Sequence, residues 1–391
     1  MRRYLVLIAV LALTIGHVGP AHPNSMVLAA GSPAEFDRLV HDVCDRDVVL
    51  LGEDSYHGSG RTVEVKSLLV QRLVNECGFS QVLFESQFYE FPVLEKALAN
   101  GRVAQSRLGD AVGGIWSRTA QMQPLLTWLA DAAANGKVRI GGIDPQFASA
   151  TGHFAQRELG GLLAARLPRE FRGECRRTFD RHHAWSYDDD HPYDDAEEER
   201  LGVCMRRLAG SVGRSVGRSQ DDKMVRAYAR YAPRTLREDV VASKNARDLG
   251  MAELLDWYRE RDHRKTIVWT ATVHAAKQLE GDRVPMGHYL HQELGDRMAA
   301  IGFSAVSGSI GGVVQKQAKP LAEPQPGTLE ARFRSLQPQG LVYLSRAELA
   351  DLGAVPARAL NYAQAQVANW SELLDGIIVM GEEHPAIQLP N

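Results

Sequence analysis

From about residue 48 the chain repeats one pattern: a short apolar run closed by glycine or a polar residue, then a stretch whose apolar positions recur every three to four residues. Val48-Val49-Leu50-Leu51-Gly52 is the first run, and Val65, Leu68, Leu69 and Leu73 behind it share one helix face. Val82-Leu83-Phe84 is the second, followed by a helical stretch through Leu94 and Leu98. Val138 to Ile143, Thr266 to Ala271 and Ala299 to Ser304 have the same character, and Leu341-Val342-Tyr343-Leu344 and Gly376-Ile377-Ile378-Val379 read as late strands. Continuous apolar strands alternating with helices predict an α/β fold, a mostly parallel sheet flanked by helices and buried on both faces.

Between about residues 151 and 260 the strand signals vanish, and stretches such as Gly160–Leu167 and Asp248–Tyr258 predict an inserted helical subdomain. It divides the core into a first part, residues 33–150, and a second, residues 261–385. The acidic stretch from Asp188 through Glu199 reads as a solvated loop and helix start. Lys316 to Gln339, rich in Pro and Gln, reads as a long connection.

Composition narrows the function classes. The 391 residues carry 45 basic and 48 acidic side chains with no long Lys/Arg stripe, so nucleic acid is not an expected partner. The most apolar segment, Tyr4 to Gly16, is too short for the roughly 20 residues of a membrane-spanning helix. Preceded by Arg2-Arg3 and followed by Gly19 and Ala21 at the −3 and −1 positions, it predicts a signal peptide, residues 1–21, with Ala29 as the alternative cleavage point. An uncleaved anchor is the other reading. A secreted or periplasmic chain with no stable membrane insertion after cleavage is the expectation. An oxidising compartment in turn favours disulfides, and the pairs Cys44–Cys77 and Cys175–Cys204 are expected, with free buried thiols as the alternative.

Ligands of open parallel sheets bind where the loops converge beyond the carboxyl ends of the strands. Those ends carry Glu53 and His57 after the first strand, Glu85 after the second, Asp144 after Ile143, and His274 beyond Thr266–Ala271. Two imidazoles with several carboxylates suffice for acid/base chemistry on water. Each has a plainer reading: Asp144 before Pro145 as a turn residue, His274 as a satisfied core histidine. Gly213-Arg214-Ser215-Val216-Gly217 matches a nucleophile-elbow spacing but lacks a preceding strand. His288 and His291 share a helix face without a third ligand, and His182-His183 adjoins the acidic stretch.

The sequence Leu51-Gly52-Glu53-Asp54-Ser55-Tyr56-His57-Gly58, then Lys66, Gly78-Phe79 and Phe84-Glu85, resembles the opening of the erythromycin esterase-like family. Trp116, Leu125 to Leu129, Gly142-Ile143-Asp144-Pro145-Gln146, Arg247-Asp248, Val268-Trp269 to His274, Met286-Gly287, Gly327 to Glu330 and Asp375-Gly376 continue it over about residues 33 to 385. The resemblance implies a hydrolase of a small-molecule ester or lactone, a macrolide in the best-known case. His57 would be the base, Glu53 and Glu85 the orienting or proton-handling carboxylates, His274 the second imidazole and Lys66 a basic residue lining the cleft. Trp116, Asp144 and Arg247 would complete the substrate site. This chain places three residues between Glu53 and His57 where the family has two, and Ala271 stands where an imidazole is usual. No cofactor is required on this reading. A second reading makes Glu53, His57, Glu85 and His274 ligands of a divalent metal in a hydrolase or peptidase, and a third makes the chain a periplasmic binding protein without turnover.

Overall fold

The structure, a computed structural model, describes residues 33–99, 105–146, 154–184, 194–212, 220–235, 240–313 and 316–390. The N-terminal apolar segment, the Gly213–Gly217 motif and the Asp188–Asp190 part of the acidic stretch lie outside them.

The strands are β1 (Val48–Leu51), β2 (Gln81–Gln87), β3 (Arg139–Asp144), β4 (Thr266–Trp269), β5 (Met298–Ile310), β6 (Lys319–Pro320), β7 (Leu341–Ser345), β8 (Ala354–Ala357), β9 (Gln366–Asn369) and β10 (Gly376–Glu383). Each apolar run read from the sequence forms one of them. The main sheet has the order β3-β2-β4-β1-β5-β10-β7, with β6 paired to the far end of β5. Six of these strands run parallel, while β7 joins β10 antiparallel at the edge. The remaining two, β8 and β9, form a separate hairpin.

Alternation along each strand divides the core between two faces. Val48 and Leu50 join one hydrophobic cluster, with Leu83, Val268, Ala300 and Ile377; Val49 and Leu51 join the other, with Phe84, Ile267, Trp269 and Ile301. Helices from the 154–262 stretch pack Leu163, Phe179, Leu208, Tyr228 and Leu255 into the first cluster. The helix Gly60–Glu76, carrying Val65, Leu69 and Leu73, and the helix Gln123–Ala134 cover the second. The expected helix start after the acidic stretch is there: the helix Asp195–Val212 begins with Asp195, Glu197 and Glu198 in its first turn, where the helix dipole favours negative charge.

Both expected disulfides are present, Cys44–Cys77 and Cys175–Cys204, and no cysteine is free. Cys44 and Cys77 follow the helices that lead into β1 and β2, and Lys265 Nζ donates to both of their carbonyls. Cys175–Cys204 joins the helices Arg172–Ala184 and Asp195–Val212. Among the described residues no helix is long and apolar enough to cross a membrane.

Two long-range contacts hold the loop after β1. The helix Gly60–Glu76 has no side-chain cap of its own, and Glu383 of β10 fills that place, accepting from Arg61 N at 2.7 Å and from Thr62 Oγ1 at 2.7 Å. The C-terminal segment beyond β10 then straps the loops together: Ala386 N donates to Gly58 O, and Ala120 N donates to Ile387 O.

Candidate active site

Leu51 delivers the chain to the carboxyl end of β1, where Asp54 turns it: Tyr56 N donates to Asp54 Oδ2 at 3.1 Å and His57 N to Asp54 O at 2.9 Å. His57 closes the turn in the left-handed region with φ of 54°, an uncommon conformation outside glycine that points to a functional constraint. The turn absorbs the extra residue between Glu53 and His57, because Glu53 Oε1 still lies 2.7 Å from His57 Nδ1. A carboxylate on Nδ1 fixes that nitrogen as the proton-bearing one and leaves Nε2 with the lone pair.

Glu53 is 1% exposed and fully engaged. Oε1 also accepts from the Trp116 indole at 2.6 Å, and Oε2 from Lys66 Nζ at 2.8 Å. Burial raises the Glu53 pKa, but the Lys66 charge and the His57 hydrogen bond outweigh it, so the carboxyl is held below its ordinary value. Lys66 is itself buried, which pulls its pKa down to about 8 despite Glu53 and Glu85. Its ammonium lies 4.1 Å from the Trp269 ring centre. Lys66 therefore sits beneath Glu53 as its counter-ion, whereas the sequence suggested a residue on the cleft wall. Trp116 both fixes Glu53 and packs edge-on against His57, with ring centres 5.2 Å apart.

The second group forms where β2, β3 and β4 end. Pairing of β2 with β3 slips between Phe84 and Gln87, a bulge that frees Glu85 from the ladder. Glu85 Oε2 accepts from Thr270 Oγ1 and from Ala271 N, each at 2.8 Å. Ala271, which stands where the family usually has an imidazole, meets Glu85 through its backbone N–H alone. Glu85 Oε1 faces Arg247 Nη2 at 2.8 Å and His274 Nε2 at 3.3 Å. Arg247 is also held by Asp144, at 2.7 Å from Nη2 to Oδ2, and this pairing raises its pKa despite burial. Asp144 serves two roles, since Gln146 N donates to its Oδ1 in a turn.

His274 packs Nδ1 against Asp248 Oδ1 at 2.7 Å. Burial lowers its pKa, but Asp248 and Glu85 more than offset that and bring it to about 9. This folded value lies above the 6.5 of an unfolded histidine, so the resulting stabilisation is complete below about pH 6.5 and is lost as pH rises through 9. His274→Gln should therefore cost on the order of 3 kcal/mol more at about pH 6 than at about pH 10, measured by urea unfolding. Equal costs at both pH values would show that His274 is not an imidazolium. Sequence reasoning gave Asp248 no role in the site, although it stands beside Arg247 in one of the motifs that carry the family resemblance.

His57, Glu85, Trp116, Asp144 and Arg247 line one lobe of a cleft, with about 570 Å³ of space between protein atoms. Arg247 and His274 also border a second lobe of about 920 Å³. Among the described residues no three His, Cys, Asp or Glu side chains are grouped to hold a metal ion. In the proposed ligand set, Lys66 and Arg247 already occupy carboxylate oxygens of Glu53 and Glu85, and a metal there would face their positive charge.

The erythromycin esterase family profile matches residues 74–380. The chain belongs to the erythromycin esterase family. Glu85, Trp116, Asp144, Arg247 and His274 fall inside the matched region, while Glu53, His57 and Lys66 precede it. Three solved structures share the family fold. A protein of Bacillus cereus aligns at 17% identity and a TM-score of 0.66, covering 92% of this chain and 94% of its own. A succinoglycan biosynthesis protein aligns at 16% identity and a TM-score of 0.68 with the same coverages. A mutant of the erythromycin esterase EreC in its open conformation aligns at 15% identity and a TM-score of 0.64, covering 89% of this chain and 93% of its own. No curated protein matches in sequence.

Proposed function

We propose that this member of the erythromycin esterase family is an exported hydrolase that cleaves an ester or lactone by attack of water. The observation that carries the reading is the Glu53–His57 pair at the cleft wall, with Arg247 lining the same lobe. His57 Nε2 takes a proton from water as the oxygen attacks the carbonyl carbon. The oxyanion that forms is stabilised by the Arg247 guanidinium, which Asp144 and Glu85 hold in place before substrate arrives. Collapse breaks the bond to the alcohol oxygen, which recovers the proton from the His57 imidazolium. The carboxylic acid and alcohol leave, and His57 is neutral again.

Export rests on the apolar segment after Arg2-Arg3 and on the two disulfides. A reporter fused to residues 1–32 that stayed in the cytoplasm would refute it. Catalysis is tested by offering the purified chain aryl esters, alkyl esters, lactones and a macrolide, the last because EreC is an erythromycin esterase. Hydrolysis of at least one class, unchanged by a chelator, is the expected result. Hydrolysis of none overturns the reading, and activity lost to chelation and restored by zinc replaces it with the metal-dependent one.

A further inference from the structure

Beyond Arg247 the second lobe has a charge character that ester hydrolysis alone does not require. Lys244, Arg247, His274 and Arg283 line it, against one carboxylate, Glu280. Lys244, Arg247 and Asp248 lie three and four positions apart on the helix Val240–Asp262, so one helix face presents them together. Arg247 is committed to Glu85 and Asp144, and His274 to Asp248 and Glu85. Two donors are left over. Lys244 is exposed and enters no ion pair among the described residues. Arg283 gives Nη2 to Asp248 Oδ2 at 2.9 Å, while its Nη1 is buried with no hydrogen-bond partner. A buried guanidinium N–H without an acceptor is costly, so a small shift of the Arg283 side chain into the lobe it lines would let Nη1 gain an acceptor from an anion bound there. Across the lobe, Asn361 Oδ1 accepts from Ala363 N at 2.8 Å, so its amide nitrogen is the available group.

We propose that this lobe is an anion subsite and that the substrate is an ester carrying a carboxylate remote from the scissile bond. The proposal rests on the hydrolase reading above. The scissile carbonyl lies in the first lobe near His57 and Arg247, and the carboxylate passes Arg247 to reach Lys244 and the Arg283 side chain. A substrate bearing a basic amine there meets the same cationic side chains and is disfavoured.

Matched ester pairs test this on both sides of the bond. 4-Acetoxybenzoate against 4-acetoxybenzamide places the charge on the leaving group; monophenyl adipate against phenyl hexanoate places it on the acyl group. In at least one pair the anionic ester should be preferred by about tenfold or more in kcat/KM, the value of one charge-assisted hydrogen bond. Lys244→Ala and Arg283→Gln should each lower that preference ratio severalfold. Lys244 is a surface residue, so its variant keeps the test valid should Arg283→Gln fail to fold. Equal or better hydrolysis of the neutral ester in both pairs overturns the subsite, as does an unchanged ratio in Lys244→Ala. Calorimetric titration with adipate separates this from the reaction. If no ester is cleaved but adipate binds the wild type and binds Lys244→Ala several times more weakly, the subsite stands and the hydrolase reading falls. Absence of adipate binding together with absence of turnover overturns both.

Discussion

His57→Ala should reduce kcat/KM for whichever ester the wild type cleaves by roughly 10²- to 10⁴-fold, the range in which a positioned general base acts. The loss should fall on kcat, because the imidazole moves a proton only as the carbonyl is attacked. Folding should survive, since His57 sits on a loop held by Asp54 and by the Gly58 contacts with Gly311 and Ala386. The remaining Glu53 partners, Lys66 and Trp116, still satisfy its carboxylate. Steady-state kinetics with circular dichroism as the folding control decide the matter. A folded His57→Ala enzyme with wild-type kcat would remove His57 from the mechanism and with it the role given to Glu53.

The second large effect concerns stability. Lys66→Met should cost about 3–5 kcal/mol, because it strands the Glu53 carboxylate in a site that excludes water. Hydrogen bonds from His57 and Trp116 keep the loss toward the lower end. Combining Lys66→Met with Glu53→Gln should recover much of it, since the stranded charge is then gone. Urea unfolding of the two single variants and the double completes the cycle. Additive losses would mean that Lys66 acts through packing on Trp269 instead of through its charge.

How far the sequence could be read depended on how local the cause was. Val48–Leu51 and Val82–Phe84 are strands by their apolar runs alone, and the strand-end rule put Glu53, His57, Glu85 and Asp144 at one end of the sheet, where His57, Glu85 and Asp144 line one cleft and Glu53 is buried behind His57. Of the disulfide pairs, Cys44–Cys77 followed from two helix-like stretches that each end shortly before a strand, and Cys175–Cys204 from a shared place in the later helical region. Lys66 was expected on the cleft wall from the resemblance alone, which carries over a residue's chemistry without saying whether an acid from another element, here Glu53, meets it below the surface. Asp248 was quoted beside Arg247 but given no role, because its partners, His274, Arg283 and Met286 N, are 26 to 38 residues away. The antiparallel sense of β7 and the hairpin β8–β9 went unread for a related reason: strand direction and short, half-exposed pairs are set by partners, and apolar runs do not report them.

The central position of β1 has a consequence for how the chain is made. Its two neighbours, β4 and β5, are synthesised more than two hundred residues after it. Until they emerge, β1 has no partner in the sheet, and the loop carrying His57 has nothing to close on. Such distant pairing slows folding and exposes unpaired apolar strand surface in the meantime. On the export proposed above the delay is an advantage, because a polypeptide that cannot finish its sheet before its last third appears remains threadable through a secretion channel.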